Sequence, residues 1–150
     1  MILKKVSYET IQNAIKVAFD EDKKIFEFYD PNKNVTSLDE IVKDIYSKGA
    51  GFSELSDGVI AMEVYEKGKL IGYFFYNNKM LISFALNVAY RQRKYLKEFF
   101  SLIKSTIGKG FSCLLWSKNI RAIKYLMKMG MMPINETEFN GNFVTTLIFI

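Results

Sequence analysis

Between Met80 and Ala89 the chain reads MLISFALNVA, an almost wholly apolar run broken only by Ser83 and Asn87. A run this short and this apolar fits a central β-strand covered on both faces, so the chain needs a sheet with material packed above and below it. Two further strands lead into it as a meander. Val59 to Glu66 reads as a strand, Lys67-Gly68 as a turn and Leu70 to Tyr76 as the next strand. Asn77-Asn78 then suits a tight turn that needs positive φ.

From Arg91 the apolar period changes from two to nearly four. Tyr95, Phe99, Leu102 and Ile103 share one side, with Leu96 and Phe100 beside them, which predicts a helix with a broad buried face up to Gly108. Phe111 to Trp116 reads as a short strand and Asn119 to Met129 as a helix, with Gly130 just past its end. The last segment is a hairpin of Ile134 to Phe139 and Phe143 to Ile150 about Asn140-Gly141, the strongest short-range hairpin signal. Upstream, Ile2 to Val6 is expected to be a strand. Ser7 then opens a helix whose stripe runs Ile11, Ile15, Ala18, Phe19, Phe26 and Tyr29 before Asp30-Pro31-Asn32 ends it. Ser37-Leu38-Asp39-Glu40 has capping-box spacing for a second helix carrying Ile41, Val42, Ile45 and Tyr46, stopped by Gly49 and Gly51.

The expected order is β-α-α-β-β-β-α-β-α-β-β, an α/β (α+β) domain. No linker, repeat or low-complexity stretch divides it, and Pro31 and Pro133 both fall between periodic segments, so residues 1–150 read as one domain. A chain of 150 residues buries about two-thirds of its unfolded surface, enough for a core without disulfide or metal. No apolar run approaches the roughly 20 residues that span a bilayer, and the start MILKK lacks a signal-peptide pattern, so a cytoplasmic location is expected.

The side chains missing from the composition matter as much as those present. There is no histidine, which removes the commonest general base, the commonest zinc ligand and every Ser-His or Cys-His pair. Cys113 stands alone in a hydrophobic strand and reads as a buried, inert thiol. The net charge of +5 is split unevenly. Residues 1–66 hold 8 basic against 13 acidic residues, a net of −5, and residues 67–150 hold 13 against 3, a net of +10. The C-terminal part is therefore expected to meet an anion, phosphate or nucleic acid, although no nucleic-acid reading motif accompanies the charge.

Two segments carry a family resemblance. Leu86-Asn87-Val88-Ala89-Tyr90-Arg91-Gln92-Arg93-Lys94-Tyr95-Leu96 looks like a strand end, a sharp turn and a helix opening on R/Q-x-x-G-x-G/A. Asn119-Ile120-Arg121-Ala122-Ile123-Lys124-Tyr125-Leu126-Met127-Lys128-Met129-Gly130-Met131 is similar to an N-x-x-A-x-x-x-(Tyr)-x-x-x-G-Phe helix. Together, in that order and within that topology, they resemble the GNAT superfamily of acyl-CoA-dependent N-acyltransferases. The resemblance implies a mixed, mostly antiparallel sheet of about seven strands flanked by four helices. It also implies acetyl-CoA as co-substrate, no metal, and direct transfer of the acyl group to the amine of a small molecule or protein.

By physics alone, the open N–H groups and dipole of a helix start favour an anion. The resemblance assigns the backbone from Gln92 to Leu96 to the cofactor's pyrophosphate, with Arg91, Arg93 and Lys94 adding charge. Leu86, Asn87 and Val88 take the pantetheine arm at the strand's free edge, and Asn119 contacts the pantetheine region. With Arg91 in the motif's first position, Lys94 and Leu96 stand where Gly and Gly or Ala are usual, and a Leu there fills space that small residues leave for phosphate. The family's acid is a Tyr seven residues after the Asn; here that position is Leu126, with Tyr125 one residue and about 100° of helix earlier. Tyr125 is the candidate acid and Glu63, with Glu54 and Asp57 in the preceding loop, the candidate base. The acceptor site falls to the helices at 8–29 and 37–48 and the loop Gly49 to Gly58.

A second reading stays open beside the enzyme. The altered motif positions also suit a non-catalytic GNAT-fold protein that binds or builds, resembling small proteins of bacteriophages, as a virion component or host-interacting protein. It would assemble as a homo-oligomer or within a larger complex, without membrane contact.

Overall fold

The structure, a computed structural model, describes residues 1–29, 35–48 and 58–150. Strand β1 (Ile2–Val6) is followed by helices α1 (Gln12–Phe19), α2 (Ile25–Phe28) and α3 (Leu38–Lys48). The meander is β2 (Ile60–Glu66), β3 (Lys69–Asn77) and β4 (Met80–Leu86). Then come α4 (Arg93–Ile107), β5 (Ser112–Trp116), α5 (Ile120–Lys128), β6 (Met132–Phe139) and β7 (Asn142–Ile148). The strands form one seven-stranded sheet in the order β1-β2-β3-β4-β5-β7-β6, in which β4 and β5 run parallel and the other neighbours antiparallel.

Successive residues of a strand face opposite sides, and here each side has its own core. Tyr73 and Phe75 pack with Ile11, Ile15, Ile41 and Ile45 of the N-terminal helical layer. Phe74 packs with Phe99, Phe100 and Ile103 of α4 and Leu126 of α5 on the other side. The central position expected for the apolar run from Met80 is thus observed, with β4 between β3 and β5. Strand β3 approaches β4 so closely at Gly72 that a Cβ there would lie 2.3 Å from the carbonyl oxygen of Ala85. The turns read from sequence also hold: Asn78 has φ 53°, and Asn140 and Gly141 have φ 51° and 83°.

The N-terminal helix departs from expectation. It is broken into α1 and α2, because Glu21 adopts φ 62° and the chain leaves the helical phase after Asp20. The break gives five helices among the described residues where four were expected, and turns Phe26 outward, 47% exposed instead of lying in the apolar stripe. Ser7 does not cap a helix either; it precedes a single 3₁₀ turn at Tyr8–Thr10 without a side-chain cap bond. At α3 the capping box is half formed. The hydroxyl of Ser37 accepts from the N–H of Glu40 at 3.2 Å, while the Glu40 carboxylate accepts from Thr36. The expected stops at Asp30-Pro31-Asn32 and at Gly49 and Gly51 lie outside the described residues. None of the described helices is long and apolar enough to cross a membrane.

Candidate active site at the split between the central strands

The sheet is not continuous across its middle. β4 pairs with β5 only at Met80↔Ser112 and Leu81↔Cys113. β5 stays in register with β7 from Ser112↔Ile148 to Trp116↔Val144, and β4 with β3 as far as Leu86, so the two central strands diverge beyond the second pair. A cavity of about 300 Å³ fills the gap, lined by Ile82 to Leu86 on one side and Leu114 to Trp116 on the other. Backbone that would be paired in an unbroken sheet faces this space instead.

The turn after β4 closes one end. Asn87 accepts from the N–H of Ala89 at 3.0 Å and donates its side-chain amide to the carbonyls of Val17 (2.8 Å) and Asp20 (3.4 Å), tying the turn to the end of α1. The N–H groups of Asn87, Tyr90 and Arg91 bond to the Ile71, Asn87 and Val88 carbonyls. Helix α4 then begins at Arg93, two residues later than the sequence suggested, because Val88–Tyr90 forms a 3₁₀ turn and Gln92 stays extended. Gln92 donates its side chain to the Ala89 carbonyl and makes no cap bond to the helix. The N–H groups of Tyr95 and Leu96 both bond to the Gln92 carbonyl, at 3.0 Å each. The open donors of the helix start are therefore those of Gln92, Arg93 and Lys94, a narrower set than the five expected. Arg93 and Lys94 are exposed, with the Lys94 ammonium 4.8 Å over the Tyr95 ring.

Arg91 points the other way. Its guanidinium donates to the Leu86 carbonyl at 2.8 Å, to the Ala18 carbonyl at 3.4 Å and to the Asp22 carboxylate at 2.9 Å. Arg121 on α5 reaches the same carboxylate at 3.2 and 3.3 Å, and the N–H of Lys24 adds a further donor at 3.2 Å. Asp22 is 2% exposed at its side chain. Burial alone would push its carboxyl up, but the hydrogen bonds and charges of Arg121 and Arg91 outweigh that and hold it below the usual carboxylate range. One carboxylate thus clamps the N-terminal layer to the turn and to α5. Neither Asp22 nor the pairing of Arg121 is legible in sequence, since Asp22 lies in the run DEDKK, which reads as solvated surface.

Tyr125, Asn119 and Leu96 all line the cavity. Asn119 caps α5 by accepting from the N–H of Ala122 at 3.3 Å. The Tyr125 hydroxyl donates to the Leu96 carbonyl at 2.8 Å, joining α5 to α4, and burial pushes its ionisation well above the ordinary tyrosine value. Leu96 is engaged at both ends of its peptide unit, and its side chain packs against the C-terminal core. Glu63 is not among the lining residues. It sits on β2, two strands from β4, 8% exposed and accepting from the Tyr65 hydroxyl at 2.7 Å. Glu54 and Asp57 lie outside the described residues. Cys113 is buried on β5, and burial raises its thiol to about 12, as expected for an inert side chain.

No family model matches the chain, and no curated protein sequence does. Solved structures do. An N-acetyltransferase from Staphylococcus aureus Mu50 is 14% identical with a TM-score of 0.59, covering 99% of this chain and 96% of its own. A GNAT-family acetyltransferase from Streptococcus pneumoniae is 11% identical with a TM-score of 0.57, over 97% and 96%. An aminoglycoside 6'-acetyltransferase type Ii is 10% identical with a TM-score of 0.60, over 98% and 95%. Nearly the whole chain therefore has the GNAT N-acetyltransferase fold, the fold that the two sequence segments implied.

Proposed function

We propose that the protein is an acyl-CoA-dependent N-acyltransferase that passes an acetyl group from acetyl-CoA directly to an amine, in the cytoplasm of the cell that makes it. The observation that carries this reading is the split between β4 and β5, a cavity through the sheet with an uncapped helix start beside it. The open N–H groups of Gln92, Arg93 and Lys94, with the Arg93 and Lys94 charges, suit a pyrophosphate. The β5-facing edge of β4 beyond Leu81, unpaired with β5, suits an extended amide-bearing arm, and Asn119 lines the cavity beside it. Supplied there, acetyl-CoA brings an activated thioester.

The protein's share of the chemistry is placement. Holding the two reactants in one narrow space supplies much of the rate. A backbone N–H near Val88 is taken to polarise the thioester carbonyl. The amine nitrogen attacks the thioester carbon, a C–N bond forms and the C–S bond breaks with its electrons on sulfur. Burial keeps Tyr125 protonated, and its hydroxyl, which donates to the Leu96 carbonyl, is the candidate to protonate the leaving sulfur; the net proton of the transfer passes from the attacking nitrogen to that sulfur. Incubating the folded protein with acetyl-CoA and a panel of amines, and following thiol release with product mass, tests the reading. Amine-dependent thiol release with acetylated product supports it; none over hours refutes it.

The non-catalytic reading is favoured by a different observation. Arg91 is spent on Leu86, Ala18 and Asp22, and a Leu96 side chain occupies part of the cavity wall. Under it the protein binds no acetyl-CoA and acts within an assembly, as a virion component or on a host protein. Thiol release separates the two.

A further inference from the structure

Two polar residues interrupt the apolar run of β4 and its turn: Asn87 ties the turn together, and Ser83 lines the cavity. We infer that the Ser83 hydroxyl is a specificity-determining hydrogen-bond donor to the acceptor, selecting amines that also carry a carbonyl or hydroxyl oxygen. The inference rests on the acyltransferase reading and narrows its substrate class. Ser83 Oγ lies 2.7 Å from the hydroxyl oxygen of Tyr73. Tyr73 is 0% exposed and Ser83 8%. Each hydroxyl carries one hydrogen, so only one of the two can donate across that gap. Were Ser83 the donor, the Tyr73 hydrogen would be stranded in the core, since among the described residues Ser83 is the one hydrogen-bond partner of the Tyr73 side chain. An orphaned buried donor carries its full desolvation cost. Tyr73 therefore donates and Ser83 accepts, which leaves the Ser83 hydrogen free to turn into the cavity.

Accepting from Tyr73 also polarises the Ser83 O–H and makes it the stronger donor. Burial raises the ionisation of Tyr73 well above the ordinary tyrosine value, so the pair is a fixed dipole and not a proton relay. The side of the sheet decides which reactant Ser83 meets. Ser83 is the cross-strand partner of Phe75, and Phe75 packs with Tyr73 into the N-terminal helical layer. Cross-strand partners share a side, so Ser83 is on that side too. Helix α4, whose start is proposed for the phosphates, packs on the opposite side with Phe99 and Phe100. Acetyl-CoA therefore comes to the split from the α4 side, and the amine from the side of Phe19, Ile25 and Tyr29, which line the same cavity. Ser83 stands on the amine's side. A site built to donate to a substrate oxygen rejects the analogue without it, because the donor is then left unpaired.

The test uses the full chain at saturating acetyl-CoA and two pairs of amines, phenylalaninamide with phenethylamine and ethanolamine with propylamine. Only the first of each pair carries oxygen. Comparing the kcat/KM ratio within a pair between wild type and Ser83→Ala cancels the differing basicity of the amines. In at least one pair that ratio is expected to fall about 5-fold or more in Ser83→Ala. The loss should sit in KM for the oxygen-bearing amine with kcat little changed, and Ser83→Thr, which keeps the hydroxyl, should restore it. Ser83→Ala strands the Tyr73 hydrogen, so the double variant Tyr73→Phe, Ser83→Ala, which removes both polar partners, repeats the measurement with the same fall expected. A ratio unchanged in both pairs, an equal loss on both members of each pair, or no acetylation of any of the four amines by wild type that binds acetyl-CoA overturns the inference. So does acetyl-CoA binding weakened about 5-fold or more in Ser83→Ala, which would put the hydroxyl on the cofactor's own amide oxygens. Failure of the wild type to bind acetyl-CoA at all, read separately by calorimetry, overturns the acyltransferase reading with it.

Discussion

Replacing Asp22 by Asn tests whether one buried carboxylate holds the N-terminal layer to the candidate site. The change keeps the shape and removes the charge that faces Arg91 and Arg121. Breaking a buried ion pair from one side costs about 3–5 kcal/mol. Here the Arg91 and Arg121 side chains stay 25% and 37% exposed, so water recovers part of the loss and about 2–3 kcal/mol is expected. For a chain of this length that is a fall of about 5–10 °C in Tm. The pH dependence has a fixed sign. A carboxyl held below its ordinary value contributes stability that is fully present above its unfolded pKa of about 3.9 and is lost as pH falls through the folded one. The gap between wild type and Asp22→Asn is therefore full at pH 7 and closes only below about pH 4. Urea unfolding across that range measures it. A gap under about 0.5 kcal/mol at pH 7, or one that widens on acidification, refutes the clamp.

Three further substitutions probe the same frame. Gly72→Ala places a Cβ 2.3 Å from the Ala85 oxygen, where backbone must move, and should cost about 3 kcal/mol or prevent folding, read by melting temperature and soluble yield. Asn87→Ala removes the Ala89 cap bond and the links to Val17 and Asp20, and should cost about 1–2 kcal/mol while weakening acetyl-CoA binding. Tyr125→Phe removes the donor to the Leu96 carbonyl; about 1 kcal/mol of stability should go, with kcat falling about 10-fold or more and KM for acetyl-CoA little changed.

Most of the fold was legible because its signals are local. Strand periods, the Asn-Asn and Asn-Gly turns and the apolar run at β4 each declare themselves within a few residues. The break between α1 and α2 was not legible, since Glu carries no preference for the positive φ that Glu21 adopts. The site divides the same way. The strand-turn-helix at Leu86 to Leu96 and the cap at Asn119 could be placed from sequence, and they do meet at the cavity. Which way Arg91 points could not, because its partner Asp22 is 69 residues away and is buried by the tertiary fold alone. Glu63 could be named as a carboxylate on a strand, but its distance from the split depends on strand order, which pairing decides.

Calorimetric titration of acetyl-CoA into the full chain, alongside the Arg93→Ala, Lys94→Ala double variant, tests most directly the claim that the split is a cofactor site with its phosphates on the start of α4. A saturable 1:1 isotherm, weakened about 10-fold or more in the variant and further by added salt, is the predicted result. No heat at millimolar acetyl-CoA in a folded sample, or equal binding by both proteins, contradicts it.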